Sequence, residues 1–332
     1  MRPVSETTYA KTIATTLARA MREDDRVFVL GEDVALGGPY LTTKGLAEEF
    51  GTARVINTPI SEAAICGVAI GAAQSGARPV LEIMYIDFIG LALDQLVNGA
   101  AKAHFMSGGQ LSVPMVLRTQ GGAGYRGAAQ HSQSLESWLT HIPGLKVIMP
   151  SSARDVAALL PSAISDPNPV VVVENKALYF RREQLPDDVP VEPIGLATVV
   201  RPGRDLTIVA LSRMVQEALT AADRLAAQGI EAEVIDPRTL VPLDLPTIAA
   251  SVARTSRLVV AHEAVCHGGF GAEIAAELQQ VAFYDLDAPV FRVGAPFTPV
   301  PLSPPLEDAY LPGADEIVAA ALAVLERPSL IS

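Results

Sequence analysis

Two side chains stand out as candidates for chemistry: a lone carboxylate in an uncharged stretch, and a histidine just past a glycine-rich turn. The stretch from Thr58 to Ala77, TPISEAAICGVAIGAAQSGA, carries Glu62 as its only charged residue. Small residues dominate it, so it reads as a helix over residues 61–75 whose backbone is closely approached by neighbours on every side. A carboxylate carried into an interior must be paired or must hold a proton. Glu62 is therefore a candidate acid–base group. The competing reading is a first-turn glutamate that answers the helix dipole, with Pro59 and Ser61 around the helix start. His131 follows Gly122-Ala-Gly-Tyr-Arg-Gly127 and a predicted strand, the place where open α/β sheets put ligands. The alternative for His131 is a surface histidine bonded to its own loop.

Other motifs carry less. Glu82-Ile-Met-Tyr-Ile-Asp-Phe88 brings an acid and two aromatics to a strand end. Phe88 there either stacks on a planar ring or, like Tyr85, is ordinary core. His131 and Ser132 are adjacent, but no G-x-S-x-G elbow points to a hydrolase. His141, just before Ile-Pro-Gly, reads as structural. Gly268-Gly-Phe-Gly271 suits a tight turn better than an anion site. The match of residues 122–127 to G-x-G-x-x-G fails as a dinucleotide fingerprint. It needs a helix opening at the glycines and an acid about 20 residues on, whereas the next strand, residues 146–149, closes on Pro150.

The elements that must position these groups alternate. Short apolar runs at 26–30, 55–57, 79–83, 115–118, 146–149 and 170–174 read as buried parallel strands. Helical stretches at 7–21, 61–75, 89–103 and 152–165 lie around them, so the first half is a doubly wound α/β domain, residues 1–180. A polar stretch with three prolines, Arg181 to Pro193, reads as a linker or interdomain crossing within residues 181–200. A second, smaller α/β domain follows at residues 201–328. Its strands are expected at 206–210, 232–235, 258–261 and 290–293, and its helices at 214–228, 245–254, 271–281 and 315–325. Residues 294–305 are too proline-rich for regular structure.

The chain has 332 residues, with 49% hydrophobic and 19% charged, which is globular and long enough for two cores. A net charge of −12 argues against a nucleic-acid or anionic-membrane surface. No run is long enough to span a bilayer. Cys66 and Cys266, the two cysteines, have neither disulfide-framework nor zinc spacing. With no signal or transit segment before the first helix, a cytoplasmic location is expected.

Taken together, Gly31-Glu-Asp-Val34, Thr58-Pro-Ile-Ser-Glu62, Arg78-Pro-Val-Leu-Glu82, Asp94-Gln95, Ala100-Ala-Lys102, His131-Ser-Gln133, the run HIPGLKV from His141 and Asp236-Pro-Arg-Thr-Leu240 resemble one family. It is the β-subunit of the thiamine-diphosphate-dependent decarboxylating component of 2-oxoacid dehydrogenase complexes. The resemblance runs colinearly over essentially the whole chain. It implies a transketolase-like pyrimidine-binding domain followed by a transketolase C-terminal domain.

It also implies roles. Glu62 matches the glutamate that hydrogen-bonds the cofactor's aminopyrimidine ring, Phe88 the aromatic packed on that ring, and Ile60 and Met84 flanking contacts. His131 matches the histidine that reaches the reacting carbon and assists transfer to the lipoyl group. Met115, Ala163, Ile164, Asp166 and Asn168 align with a structural potassium loop, whose ligands are largely carbonyl oxygens; Asp-Pro-Asn-Pro is equally a good turn. No Gly-Asp-Gly motif is present to hold magnesium and diphosphate, so the resemblance implies an α₂β₂ assembly with an α subunit that supplies them. The expected reaction is oxidative decarboxylation of a 2-oxoacid, pyruvate or a branched-chain one, with acyl transfer to lipoyl-lysine of the acyltransferase component. Residues 43–46, 126–135 and 297–304 lean instead toward an acetoin dehydrogenase β-subunit. An NAD-dependent dehydrogenase and a non-catalytic scaffold subunit are the more distant alternatives.

Overall fold

The computed structural model describes residues 4–326; the outermost residues of the two expected domains, 1–3 and 327–328, lie outside them. The described residues divide into two packed units, residues 4–121 with 138–194, and residues 122–137 with 195–326.

The first unit begins with strand β1 (Val4–Thr8) and helix α1 (Tyr9–Glu23). Thr8 caps the helix by accepting from the Lys11 amide at 3.2 Å. Tyr9, Ile13, Leu17 and Met21, spaced four apart, form its buried stripe. Strand β2 (Val27–Gly31), the short helix α2 (Leu46–Phe50), β3 (Val55–Asn57), α3 (Glu62–Gln74) and β4 (Arg78–Ile83) follow. Next come α4 (Ala101–Met106), β5 (Val116–Gly121), α5 (Glu136–Thr140), of which the part from Trp138 on belongs to this unit, β6 (Lys146–Ile148), α6 (Ala153–Ser165) and β7 (Val170–Asn175). Within the unit the strands run in the order β6-β7-β5-β4-β2-β3, every neighbouring pair parallel. Valines such as Val29, Val80, Val116 and Val172 pack against α1 and α6 on one face. The valine-rich runs were legible because strands covered by helices on both sides carry no polar alternation.

Two expectations fail here. The polar stretch assigned to a linker opens with strand β8 (Arg182–Pro186), antiparallel to β1 with Thr8 opposite Arg182. An edge strand needs only one anchored side chain, and Leu185 supplies it by packing on Ala153, Ala158 and Val189; Pro186 sits at the strand's end, where its missing donor does little harm. The helix expected at 89–103 is instead a 3₁₀ segment (Ile86–Ala92), a π-helical segment (Gln95–Ala100) and then α4. Gly99 allows the close approach: a Cβ there would lie 3.2 Å from Ile70 Cδ1 of α3.

The second unit contains β9 (Thr198–Arg201), β10 (Leu206–Ala210), α7 (Met214–Ala226), β11 (Ala232–Asp236), β12 (Thr239–Val241), α8 (Leu245–Thr255), β13 (Leu258–Val265), α9 (Phe270–Ala282), β14 (Phe291–Ala295), α10 (Pro304–Tyr310) and α11 (Ala314–Glu326). Its sheet runs β14-β13-β10-β11-β9, with β9 antiparallel at one edge. Helices α7 and α11 bury Met214, Ala218, Ala222, Ile317 and Ala321 on β10 and β13. The turn reading of residues 268–271 fits the packing. Gly268 is left-handed (φ +67°), and a Cβ on Gly271 would come within 2.6 Å of the buried His262 ring. The proline-rich stretch 294–305 is not irregular throughout, because α10 starts at Pro304 behind Ser303.

Candidate active site

The chain passes from β2 to β3 on one side and then returns to β4 on the other, so the carboxyl ends of these strands flank a topological switch point. Glu62 stands there as the first residue of α3, beyond the end of β3. It is 7% exposed, and among the described residues it has neither a hydrogen-bond donor nor a cationic partner. The open amides and dipole of the helix start favour a negative charge at this position. Glu32 follows β2 nearby: burial, and then the charge of Glu62, push its pKa above the usual carboxylate range. Two carboxylates thus share one corner without a cation. Such a corner is suited to a donor that arrives from outside.

Phe88 lies in the 3₁₀ segment that packs against α3. Its placement is fixed by the turn before it. Tyr85 has a left-handed backbone (φ +68°), its amide donates to Gln120 Oε1 at 2.8 Å, and the Phe88 amide donates to Tyr85 O at 3.1 Å. The Phe88 ring meets the Tyr85 ring edge-on at 6.3 Å, and Lys176 Nζ stands 5.0 Å from the Tyr85 ring centre. Phe88 and Met84 are half-buried, while Ile60 is 79% exposed.

Beneath this turn lies a charge network that the motif reading missed. Arg118 donates through Nη1 to Glu82 at 2.8 Å, and through Nε and Nη2 to Glu174 at 2.7 and 2.9 Å. Gln120 Nε2 and Thr42 Oγ1 also donate to Glu82, and the Tyr179 hydroxyl to Glu174. Burial alone works against charge on Arg118, but the two carboxylates hold its pKa above the ordinary arginine value. Alternate residues of β5 point to one face, so Arg118 and Gln120 fall together; their polarity inside an apolar strand was the available signal.

One expectation about α3 is corrected. Ile65, Cys66, Ala69, Ile70 and Ala73 are buried, but Ala63, Ala64, Gly67, Val68 and Gly71 are exposed, Val68 by 60%. The helix is apolar all round but covered on one side only.

His131 belongs to the second unit, in an exposed part of the 122–137 loop. No helix opens at the glycines of that loop. The Ala123 amide donates to Glu263 at 2.6 Å and the Gly124 amide to Glu307 at 2.9 Å, so donors that a dinucleotide phosphate would need are already committed to carboxylates. Trp138 and His141 lie in the first unit, both exposed.

The potassium alignment gathers Met115, Ala163, Ile164, Asp166 and Asn168 around the end of α6 and the start of β7. Met115 O accepts from the Val170 amide and Ala163 O from the Asp166 amide. Arg78 Nη1 donates to Ile164 O at 2.6 Å and to Asp166 O at 3.3 Å. Asp166 also pairs with Lys146, and the Asn168 amide donates to Asp166 Oδ1 at 2.9 Å. A monovalent cation would share two of these oxygens with a guanidinium, which like charge disfavours.

Comparison with known proteins shows the family of both units. Residues 5–181 match the transketolase pyrimidine binding domain, and residues 195–317 the transketolase C-terminal domain. The chain is 46% identical to the acetoin:2,6-dichlorophenolindophenol oxidoreductase subunit beta of Bacillus subtilis (strain 168), covering 94% of this chain and 95% of that one. The chain belongs to this β-subunit family. It is also 45% identical to the pyruvate dehydrogenase E1 component subunit beta of Rhizobium meliloti (strain 1021), covering 96% of this chain and 69% of that one. Among solved structures, a split gene transketolase described as an inactive beta4 tetramer superposes with a TM-score of 0.79 at 26% identity, covering 96% of this chain and 97% of that one. The family is one of oxidoreductase components with the two-domain transketolase fold. Among the described residues no helix is long and apolar enough to cross a membrane.

Proposed function

We propose that the chain is the β-subunit of a thiamine-diphosphate-dependent dehydrogenase, active when joined to an α-type subunit. The observation that carries the reading is Glu62: a buried carboxylate with no donor among the described residues, at the start of a helix and beside a second acid. Such a group fits a ring nitrogen that brings its own proton. Bound thiamine diphosphate would supply the carbon nucleophile and electron sink for breaking a bond next to a carbonyl. Glu62 would hold a proton at the pyrimidine nitrogen, in a position that burial shields from water. Phe88, fixed by the Tyr85 turn, would pack on the ring, with Met84 and Ile60 beside it. His131 exchanges a proton with the reacting substrate and with the acceptor that takes the acyl group.

The partner is argued from α3. Its uncovered face is lined by Ala63, Ala64, Gly67, Val68 and Gly71, small enough for another backbone to approach closely, and the exposed Ile60 lies at its head. Among the described residues no group of three or more His, Cys, Asp or Glu is arranged to hold a metal. The proposal assigns magnesium and the diphosphate to the α subunit in an α₂β₂ assembly, and the acyl acceptor to lipoyl-lysine of an acyltransferase component. A 2-oxoacid, pyruvate or a branched-chain one, is the first choice of substrate. Acetoin is the alternative, which the B. subtilis relative supports by name.

The test is an activity panel of pyruvate, branched-chain 2-oxoacids and acetoin with the co-expressed α subunit. Turnover of one class with a requirement for thiamine diphosphate supports the reading; no turnover of any of them contradicts it. Calorimetry on the chain alone should show no appreciable binding of thiamine diphosphate, and tight binding would overturn the shared site.

A further inference from the structure

The loop that bears His131 has a left-handed backbone at two residues other than glycine, and carboxylates anchor it beside a small apolar cluster of Ala123, Ala295, Val300 and Tyr310. Arg126 and Ala128 both take left-handed backbones, with φ +57° and +56°. A residue with a side chain keeps such a backbone only where its surroundings hold it. The holding group is Glu307 of α10, which is fully buried at 0% exposure. It accepts from the Gly124 amide at 2.9 Å, from the Arg126 amide at 3.2 Å and from Arg126 Nη1 at 2.6 Å. The guanidinium is clamped further by Pro304 O at 3.1 Å and Asp308 at 2.7 Å, and Leu311 lies against Gly124. One residue earlier, Ala123 is tied to Glu263, whose other oxygen takes Arg213 Nε at 2.8 Å. At the far end, the His131 amide donates to Ala128 O at 3.4 Å, and Gly127 packs so tightly that a Cβ would lie 2.9 Å from His131 O. The backbone of His131 is therefore set by residues 124–128, and those by Glu307.

We propose that Glu307 is a positioning residue for His131: its buried carboxylate holds the left-handed turn at residues 124–128 in the one form that presents the histidine. Charge-assisted bonds to backbone amides are short and directional, so this carboxylate fixes orientation as well as adding stability. The inference rests on the reading of His131 as an active-site group.

The experiment is a double-mutant cycle on the enzyme reconstituted with its α subunit, using whichever of pyruvate, a branched-chain 2-oxoacid or acetoin is turned over. Glu307→Gln keeps the shape but replaces half the acceptors with a donor. It is expected to lower kcat about ten-fold with KM changed less than about two-fold, and to lower kcat less than about two-fold further when His131→Asn is already present. Amide hydrogen exchange over residues 122–131 should quicken about ten-fold, while that of β10 and β13 stays unchanged. Arg126→Gln, at a partly exposed position that tolerates change, should give the same pattern about three-fold in size and carries the test if Glu307→Gln fails to fold. Equal losses in both histidine backgrounds, or unchanged exchange at 122–131, would overturn the proposal. Full activity of His131→Asn alone would instead remove the histidine reading, and with it any purpose for the anchor.

Discussion

Glu82 and Glu62 are both buried glutamates of the first unit, 1% and 7% exposed, yet their surroundings are opposite. Glu82 receives a guanidinium, an amide and a hydroxyl from its own chain. Glu62 receives none from the described residues, and its charged neighbour among them is another acid, Glu32. Burial takes water away from a carboxylate, which must then find its donors in the protein or in a ligand. Where the chain supplies the compensation, the acid is scaffold. Where it withholds it, the deficit is available to a ligand, and that separates the two sites more sharply than burial does.

The largest test of the comparison removes the compensation from Glu82. Arg118→Met leaves Glu82 and Glu174 buried without their cation and should lower stability by about 3–5 kcal/mol in denaturant melts. A change under about 1 kcal/mol would mean the network does not neutralise its acids. A third buried acid sharpens the contrast. Glu136 in the second unit is 1% exposed, its Oε2 is unpartnered among the described residues, and burial, with Glu263 nearby, raises its pKa from 4.5 to about 7. Because the folded pKa is the higher one, the folded chain holds more protons between those two values. Stability therefore falls as pH rises through that window, and the cost is complete above it. Glu136→Gln should flatten this dependence and stabilise the protein at pH 8 by about 1–3 kcal/mol, read from melts across pH. The smallest effect belongs to Glu62. With no internal bond to lose and a like charge beside it, Glu62→Gln should move stability by less than about 1 kcal/mol. A larger destabilisation would place Glu62 with the scaffold acids.

Much of the architecture was readable because buried parallel strands are written as valine runs. The chain from Val170 to Val173 could hardly lie elsewhere than between neighbours. Glu62 was readable for the converse reason, as a charge in a run without others. What sequence reading missed shares one cause, tertiary partnership. Arg182 to Pro186 is polar and becomes a strand because β1 offers an edge. Arg118 looks like an ordinary charge until Glu82 and Glu174 close on it from the adjacent strands. Glu307 sits behind two prolines that suggested irregular chain; Ser303 followed by proline is a helix start, but nothing local reveals which loop that helix holds. The open face of α3 was also invisible, since an all-apolar helix looks the same whether its second covering comes from its own chain or another.

The central claim is that Glu62 is left unpaired for a ligand. Its most direct measurement is the turnover of Glu62→Gln in the reconstituted enzyme, alongside its melting curve. The account predicts a fall of about 10²–10⁴-fold with the melting curve essentially unmoved. Turnover equal to the wild type would contradict it, and would leave this corner of the fold without chemistry.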